Sequence, residues 1–279
     1  MGTPFAEATT VARVGDGRYV ADLDPSWNLM PLPQGGIVTA VAVKAMEAEL
    51  GHDEQVPRTL HTTYVAQVTD GPLEIDVEVM RAGRSMSQLR AEVRNPGSPR
   101  GHVTTCVFGA RREGFEFTDL DRPDAPPPDH CPSWRDPVPE GVEARPLPFW
   151  EQRVEGRNVA GHPPWEQYEP GRAERVMWYR LDDPPVLDDG RLDPLALVVL
   201  ADTMPGAVHE RVGPWDRPWF APSVDLTLHL LDECRSEWVL AHNRARWAGD
   251  GYASADMALW DGPRLVAYAT QLFLFTFAS

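Results

Sequence analysis

The chain has 279 residues, 42% hydrophobic, 9% aromatic and 24% charged, which is enough for one large globular domain or two ordinary ones. Its formal net charge is −16, from 42 acidic and 26 basic residues, so it lacks the basic footprint that nucleic-acid phosphates require. No apolar run approaches the roughly 20 residues that span a bilayer. Cys106, Cys131 and Cys234 have neither the spacing of a disulfide framework nor that of a zinc site.

The opening stretch, MGTPFAEATT, has no basic start and no apolar core. It predicts no signal peptide and a soluble, cytoplasmic protein. Strand-like sequence follows in GRYVADL (17–23). Next, GGIVTAVAVKAMEAELG (35–51) reads as a helix, apolar around most of its circumference at the start, with Gly51 as its C-terminal stop. Four strand-like runs succeed it, at 59–68, 73–80, 85–94 and 102–110. The second alternates cleanly, with Leu73, Ile75, Val77 and Val79 on one face and Glu74, Asp76 and Glu78 on the other. A turn signal, NPGSPRG, separates the last two runs.

Residues 114–148 are dense in proline and acid and lack apolar periodicity, which predicts a linker. Little regular structure and few core contacts are expected over 118–140. The linker divides the chain into an N-terminal unit, 1–113, and a C-terminal unit, 149–279.

The second unit repeats the order of the first. Strand-like ERVMWYRL (174–181) precedes DPLALVVLADTM (193–204), a predicted helix with Asp193 as N-cap and Pro194 at its first position. Strand-like runs follow at 222–231, 237–247, 252–260 and 264–275, the last two joined by the turn DGP. A helix with too little polar surface to lie outside, plus a run of antiparallel strands, predicts an α+β unit whose sheet curls around its helix. Two such units side by side can join their sheets and leave no edge at the join.

This pattern resembles the double-hotdog proteins, specifically the acyl-CoA thioesterase II family and its thioesterase-like relatives. The resemblance is carried by PQGGIVTAVAVKAM, LALVVLADTM, PSVDLTLHL and DGPRLVAYATQLFLF, and covers both units but not the linker. The Trp-rich FWEQRVEGRNVAGHPPWEQ (149–167) matches less well, so no acyl preference is carried over. The resemblance implies a catalytic set of an Asp in the second helix, a Ser or Thr on the next strand and a Gln on the last strand. These fall on Asp202, Ser223 and Gln271. It also implies an acyl-CoA substrate, with coenzyme A present only as part of it, no other cofactor and no metal. A homodimer or higher homo-oligomer is expected, with neither nucleic acid nor membrane as partner.

Thioester hydrolysis needs an activated water, a group that orients it and a donor for the oxyanion. Asp202 can accept the proton, and Ser223 and Gln271 can hold the water, since hydroxyl and amide both donate and accept. Two other uses stay open at this stage: Asp202 as the cap of a new helix through TMPGAVHER, and Ser223 as a plain edge-strand serine. Aligning the repeat puts Val43 or Lys44 opposite Asp202, and Val107 or Phe108 opposite Gln271, so the acid and the amide occur once. In return, the first helix opens on Gly35 and Gly36, whose N–H groups can approach a substrate oxygen closely. The same glycines also suit a plain entry turn. One composite site per chain is the expectation. Arg81, Arg84, Arg244 and Arg246 are candidates for coenzyme A phosphates, though strand ends often carry such charges. Two further readings remain: a non-catalytic acyl-thioester-binding protein, and a dehydratase or hydratase using His61 or His209, whose spacings do not fit those motifs.

Overall fold

A computed structural model describes residues 2–29, 31–142, 147–163, 165–214 and 217–277. In the first half, α1 (Pro4–Ala8), β1 (Ala12–Gly15) and β2 (Arg18–Leu23) lead to the long helix α2 (Gly35–Leu50). The strands β3 (Val56–Tyr64), β4 (Gly71–Arg81), β5 (Met86–Arg94) and β6 (His102–Gly109) follow. The second half opens with α3 (Pro148–Gln152), β7 (Val154–Ala160) and β8 (Glu174–Leu181), then α4 (Ala196–Ala201) and α5 (Gly206–Val212). It closes with β9 (Trp219–Phe220), β10 (Asp225–Leu230), β11 (Val239–Gly249), β12 (Tyr252–Asp261), β13 (Arg264–Leu274) and β14 (Thr276–Phe277).

Twelve strands form one antiparallel sheet in the order β1-β2-β4-β5-β6-β3-β10-β13-β12-β11-β8-β7, and β9 pairs with β14 in a separate ribbon. The two halves meet where β3 pairs with β10, with Leu60 opposite Leu228 and Thr62 opposite Leu226. What would have been an edge of each half is thereby satisfied by the other. Helix α2 is buried almost all round from Gly36 to Met46 and packs on β3, β4, β5 and β6. It also packs on α4, which holds the matching position in the second half. Gly51 ends α2 in the left-handed conformation, φ 60° and ψ 30°, as a C-terminal glycine should. No described helix is long and apolar enough to cross a membrane.

Two expectations are corrected. The helix foreseen over 193–204 is shorter: Asp193 Oδ1 accepts the Leu195 N–H at 3.0 Å, but regular α-helix runs only from Ala196 to Ala201. The chain breaks at Asp202, whose φ of −82° and ψ of 49° are not helical, and Pro205 prevents simple continuation.

The other correction concerns the linker. Among its described residues before Pro148 it has little regular structure, a 3-10 turn at Pro128–His130 and an isolated bridge between Ser133 and Arg157, but it is packed against the core. Leu120, Ala125 and Cys131 cover Val176, Trp178, Leu240, Ala258 and Trp260 on the outer face of the second half-sheet. Trp178 Nε1 donates to Pro126 O at 2.9 Å, and Trp134 lies edge-on to Trp150 with ring centroids 4.5 Å apart. The reason is that β8, β11 and β12 carry apolar residues on both faces, so the outer one needs a cover. The corresponding outer face of β4 carries Glu74, Asp76 and Glu78 and needs none. Residues 143–146 of the predicted linker lie outside the described residues.

Candidate active site

The site forms where the end of α4 meets the start of α2, closed by β13 and the segment before β10. Asp202 is only 6% exposed. An ionised carboxylate at such a position is costly unless donors converge on it. Three do so. Gly36 N–H donates to Oδ2 at 2.9 Å, Ser223 Oγ lies 3.4 Å from Oδ1, and Gln271 Nε2 donates to Oδ1 in a short hydrogen bond. Gln271 Nε2 also donates to Ser223 Oγ at 2.9 Å, which ties the two partners together.

Each partner has a local reason for its place. Gln271 points inward because its neighbours along one face of β13, Ala269 and Phe273, are both core residues. Ser223 is drawn against β13 by a bridge with Phe273 and by the Val224 N–H donated to Leu272 O at 2.8 Å. Helix α5 has Pro205 at its N-cap position and no side-chain cap. The capping alternative for Asp202 therefore falls away, because its carboxylate faces α2 and β13 instead.

The glycine pair has a use that differs in part from the expected one. Gly36 donates its N–H to the carboxylate rather than leaving it for a substrate oxygen. A buried anion at a helix N-terminus takes the donors nearest to it, where the helix dipole also favours negative charge. Space imposes glycine here as well. A Cβ on Gly36 would stand 2.6 Å from Val198 O and 2.9 Å from Val199 Cα, and one on Gly35 would stand 2.7 Å from the Tyr64 ring.

Sequence reasoning missed Gln34, which locks the two helices. Its Oε1 caps α2 by accepting Ile37 N–H at 3.0 Å, while its Nε2 donates to Val199 O at 2.9 Å and Asp202 O at 3.0 Å. Its position just before the predicted helix start was the available signal. Tyr64, at the end of β3, was also missed; its hydroxyl oxygen is buried against Gly35.

Burial pushes the Asp202 carboxyl up to about 6, against the lowering effect of Gln271, Gly36, Ser223 and Gly35 in that order. The native state therefore binds this proton more tightly than the unfolded chain. The associated stability is fully present below the ordinary value of 3.8 and is lost as pH rises through about 6. The cost of keeping Asp202 ionised at neutral pH is then about 3 kcal/mol.

The other candidates sit apart from this cluster. His61 is held between Thr227 Oγ1 at 2.9 Å and Thr63 Oγ1 at 3.2 Å. His209 is stacked on Trp219 and pushed down to about 4 by burial. Arg244 and Arg246 both bind the Asp256 carboxylate, which engages two of the four arginines considered for phosphate. Cys106, Cys131 and Cys234 are buried free thiols. Among the described residues no group of His, Cys, Asp and Glu is disposed to hold a metal ion.

Two half-sheets, each with its own buried helix and joined through β3 and β10, define a double-hotdog protein with a carboxylate-centred candidate site. The chain belongs to the acyl-CoA thioesterase family: residues 128–275 match the model of its C-terminal domain and residues 23–109 that of its N-terminal domain. Solved structures agree on the fold. A hot dog fold protein of Alicyclobacillus acidocaldarius is similar over 100% of both chains, at 25% identity and a TM-score of 0.82. An acyl-CoA thioesterase II, TesB2, from Mycobacterium marinum is similar over 99% of both chains, at 21% identity and a TM-score of 0.74. A tesB protein of Mycobacterium avium subsp. paratuberculosis is similar over 98% of both, at 18% identity and a TM-score of 0.73. No curated protein sequence matches the chain.

Proposed function

We propose that the protein hydrolyses an acyl-CoA thioester to free acid and thiol, with Asp202 as general base for the attacking water. The observation that carries this reading is the convergence of Ser223 and Gln271, from separate elements, on one buried carboxylate whose partner groups can also hold a water. The water oxygen bonds to the thioester carbon and its proton passes to Asp202. The tetrahedral intermediate collapses, the C–S bond breaks, and the proton returns to the departing thiolate sulfur. Ser223 and Gln271 orient the water. The N-terminal end of α2 at Gly35 and Gly36 adds positive potential beside the developing oxyanion. Coenzyme A enters only as part of the substrate and no other cofactor takes part. The cytoplasm is the proposed compartment, and association into a homodimer or larger homo-oligomer the proposed assembly. The predicted N-terminal unit, linker and C-terminal unit are kept as the domain description.

Thiol release from a panel of acyl-CoAs of differing chain length, branching and aromaticity tests the reading. Turnover of at least one member is expected, and failure with all of them would exclude hydrolysis in favour of a binding role. The pH dependence carries a sign. Asp202 must be ionised to act as a base, so kcat/KM, which reports the free enzyme, should rise with pH to a plateau, with its midpoint near 6. A profile that falls through the same range would assign Asp202 to acid catalysis instead.

A further inference from the structure

The hydroxyl of Tyr64 is a buried donor that makes no hydrogen bond with the protein. Such groups are uncommon, because desolvating an unpaired hydroxyl costs free energy that a partner would recover. Thr39 is the side chain that comes nearest to partnering it, but it stands outside hydrogen-bond geometry with the phenol and donates to Thr62 Oγ1 at 3.1 Å, in a chain that continues to Thr104 Oγ1 at 2.8 Å.

The surroundings of this hydroxyl set it beside the candidate site. A Cβ on Gly35 would come within 2.8 Å of Tyr64 Oη, so the phenol rests directly on the first turn of α2. The Tyr64 N–H donates to Val224 O at 3.1 Å, beside Ser223. Asp202 is close enough for its charge to act on the phenol, which burial already holds in the protonated, donating form. His102 packs edge-on against the ring, with centroids 4.7 Å apart, and limits its freedom to swing away. Meanwhile the Gly36 N–H is committed to the carboxylate, so the oxyanion needs another donor.

Resting on the hydrolase reading above, we infer that Tyr64 is a catalytic residue whose Oη–H donates to the thioester carbonyl oxygen, where negative charge grows in the transition state. The absence of a side chain at Gly35 gives the phenol room to reach that point. The substrate carbonyl supplies the acceptor that the protein itself does not.

The test is Tyr64→Phe, assayed beside wild type and Asp202→Asn on the best acyl-CoA. Loss of one oxyanion donor typically lowers kcat by about 10²–10³. We expect a fall of that size, KM within about threefold, and the kcat/KM midpoint near pH 6 retained, because that titration belongs to Asp202. The melting temperature should hold or rise, since an unpaired buried hydroxyl is removed. A Tyr64→Phe protein with kcat within about threefold of wild type would overturn the assignment while leaving the hydrolase reading intact. A wild type that releases thiol from no acyl-CoA would overturn the hydrolase reading itself. If the variant melts below the assay temperature, binding of two CoA analogues, measured at a temperature where circular dichroism shows the variant folded, decides. Weaker binding of a ketone analogue with unchanged binding of a thioether, which lacks the carbonyl, supports the role; equal loss of both overturns it.

Discussion

Asp202→Asn is expected to lower kcat by about 10²–10⁴, the usual worth of general-base assistance, while leaving the protein folded. The substitution keeps the shape and removes the proton acceptor. The neighbouring hydrogen bonds can be remade. An Asn Oδ1 can still accept the Gly36 N–H, and its Nδ2 can face Gln271 once the Gln271 amide rotates to present Oε1, which has no partner in the native arrangement. Stability gives a second, independent readout whose sign depends on pH. At pH 8 the wild type keeps a buried ionised carboxylate at a cost of about 3 kcal/mol, so the variant should be the more stable of the two. At pH 4 the wild-type carboxyl is already protonated and the advantage should vanish. Urea melts at the two pH values measure this directly. A folded variant turning over within about threefold of wild type would sink the general-base role.

Gly36→Ala should be damaging in both stability and activity. Its Cβ would meet Val198 O at 2.6 Å and Val199 Cα at 2.9 Å, both backbone atoms of α4 with no flexible end to swing aside. The two central helices must then separate. Overpacking of this kind costs about 1–3 kcal/mol. The same shift carries the Gly36 N–H away from Asp202, and a displacement of about 1 Å at a reacting group can cost about 10² in rate. We expect a lower melting temperature and a loss of kcat/KM of about 10–100-fold. Gly114→Ala is the control, since a Cβ there meets nothing within 4 Å. If Gly36→Ala matched this control in melting and turnover, close contact of α2 with α4 would have no bearing on the site.

The local patterns of the chain account for most of its elements. The alternation in β4 predicts a strand, and its inward face is indeed buried at Leu73 and Ile75, although Val79 on the same face is 41% exposed because the strand outruns the core. Gly51 marks the end of α2, and the repeat of a helix followed by four strands anticipates two half-sheets joined edge to edge. The break at Asp202 and the packed linker were less legible. The sequence LVVLADTM continues the helical pattern up to the break, and proline-rich acidic sequence gives no sign that an apolar sheet face lies beneath it.

By itself the sequence determined the long helix α2, most strands of the large sheet and the two-fold repeat, while Asp202, Ser223 and Gln271 became candidates through the resemblance to the thioesterase family. The elements and the repeat depend on side-chain type and on periods of 2 and about 3.6 residues, which are local and readable. Only the tertiary structure decided that Gly36 donates to a carboxylate 166 positions away, that Gln34 ties α2 to α4, and that the Tyr64 hydroxyl rests on Gly35. The physical reason is that a backbone N–H is present on nearly every residue, and a glutamine or tyrosine is equally at home on a surface. What gives these groups their part is the close approach of two helices and the join of two sheets, and that approach is set by packing across the whole core.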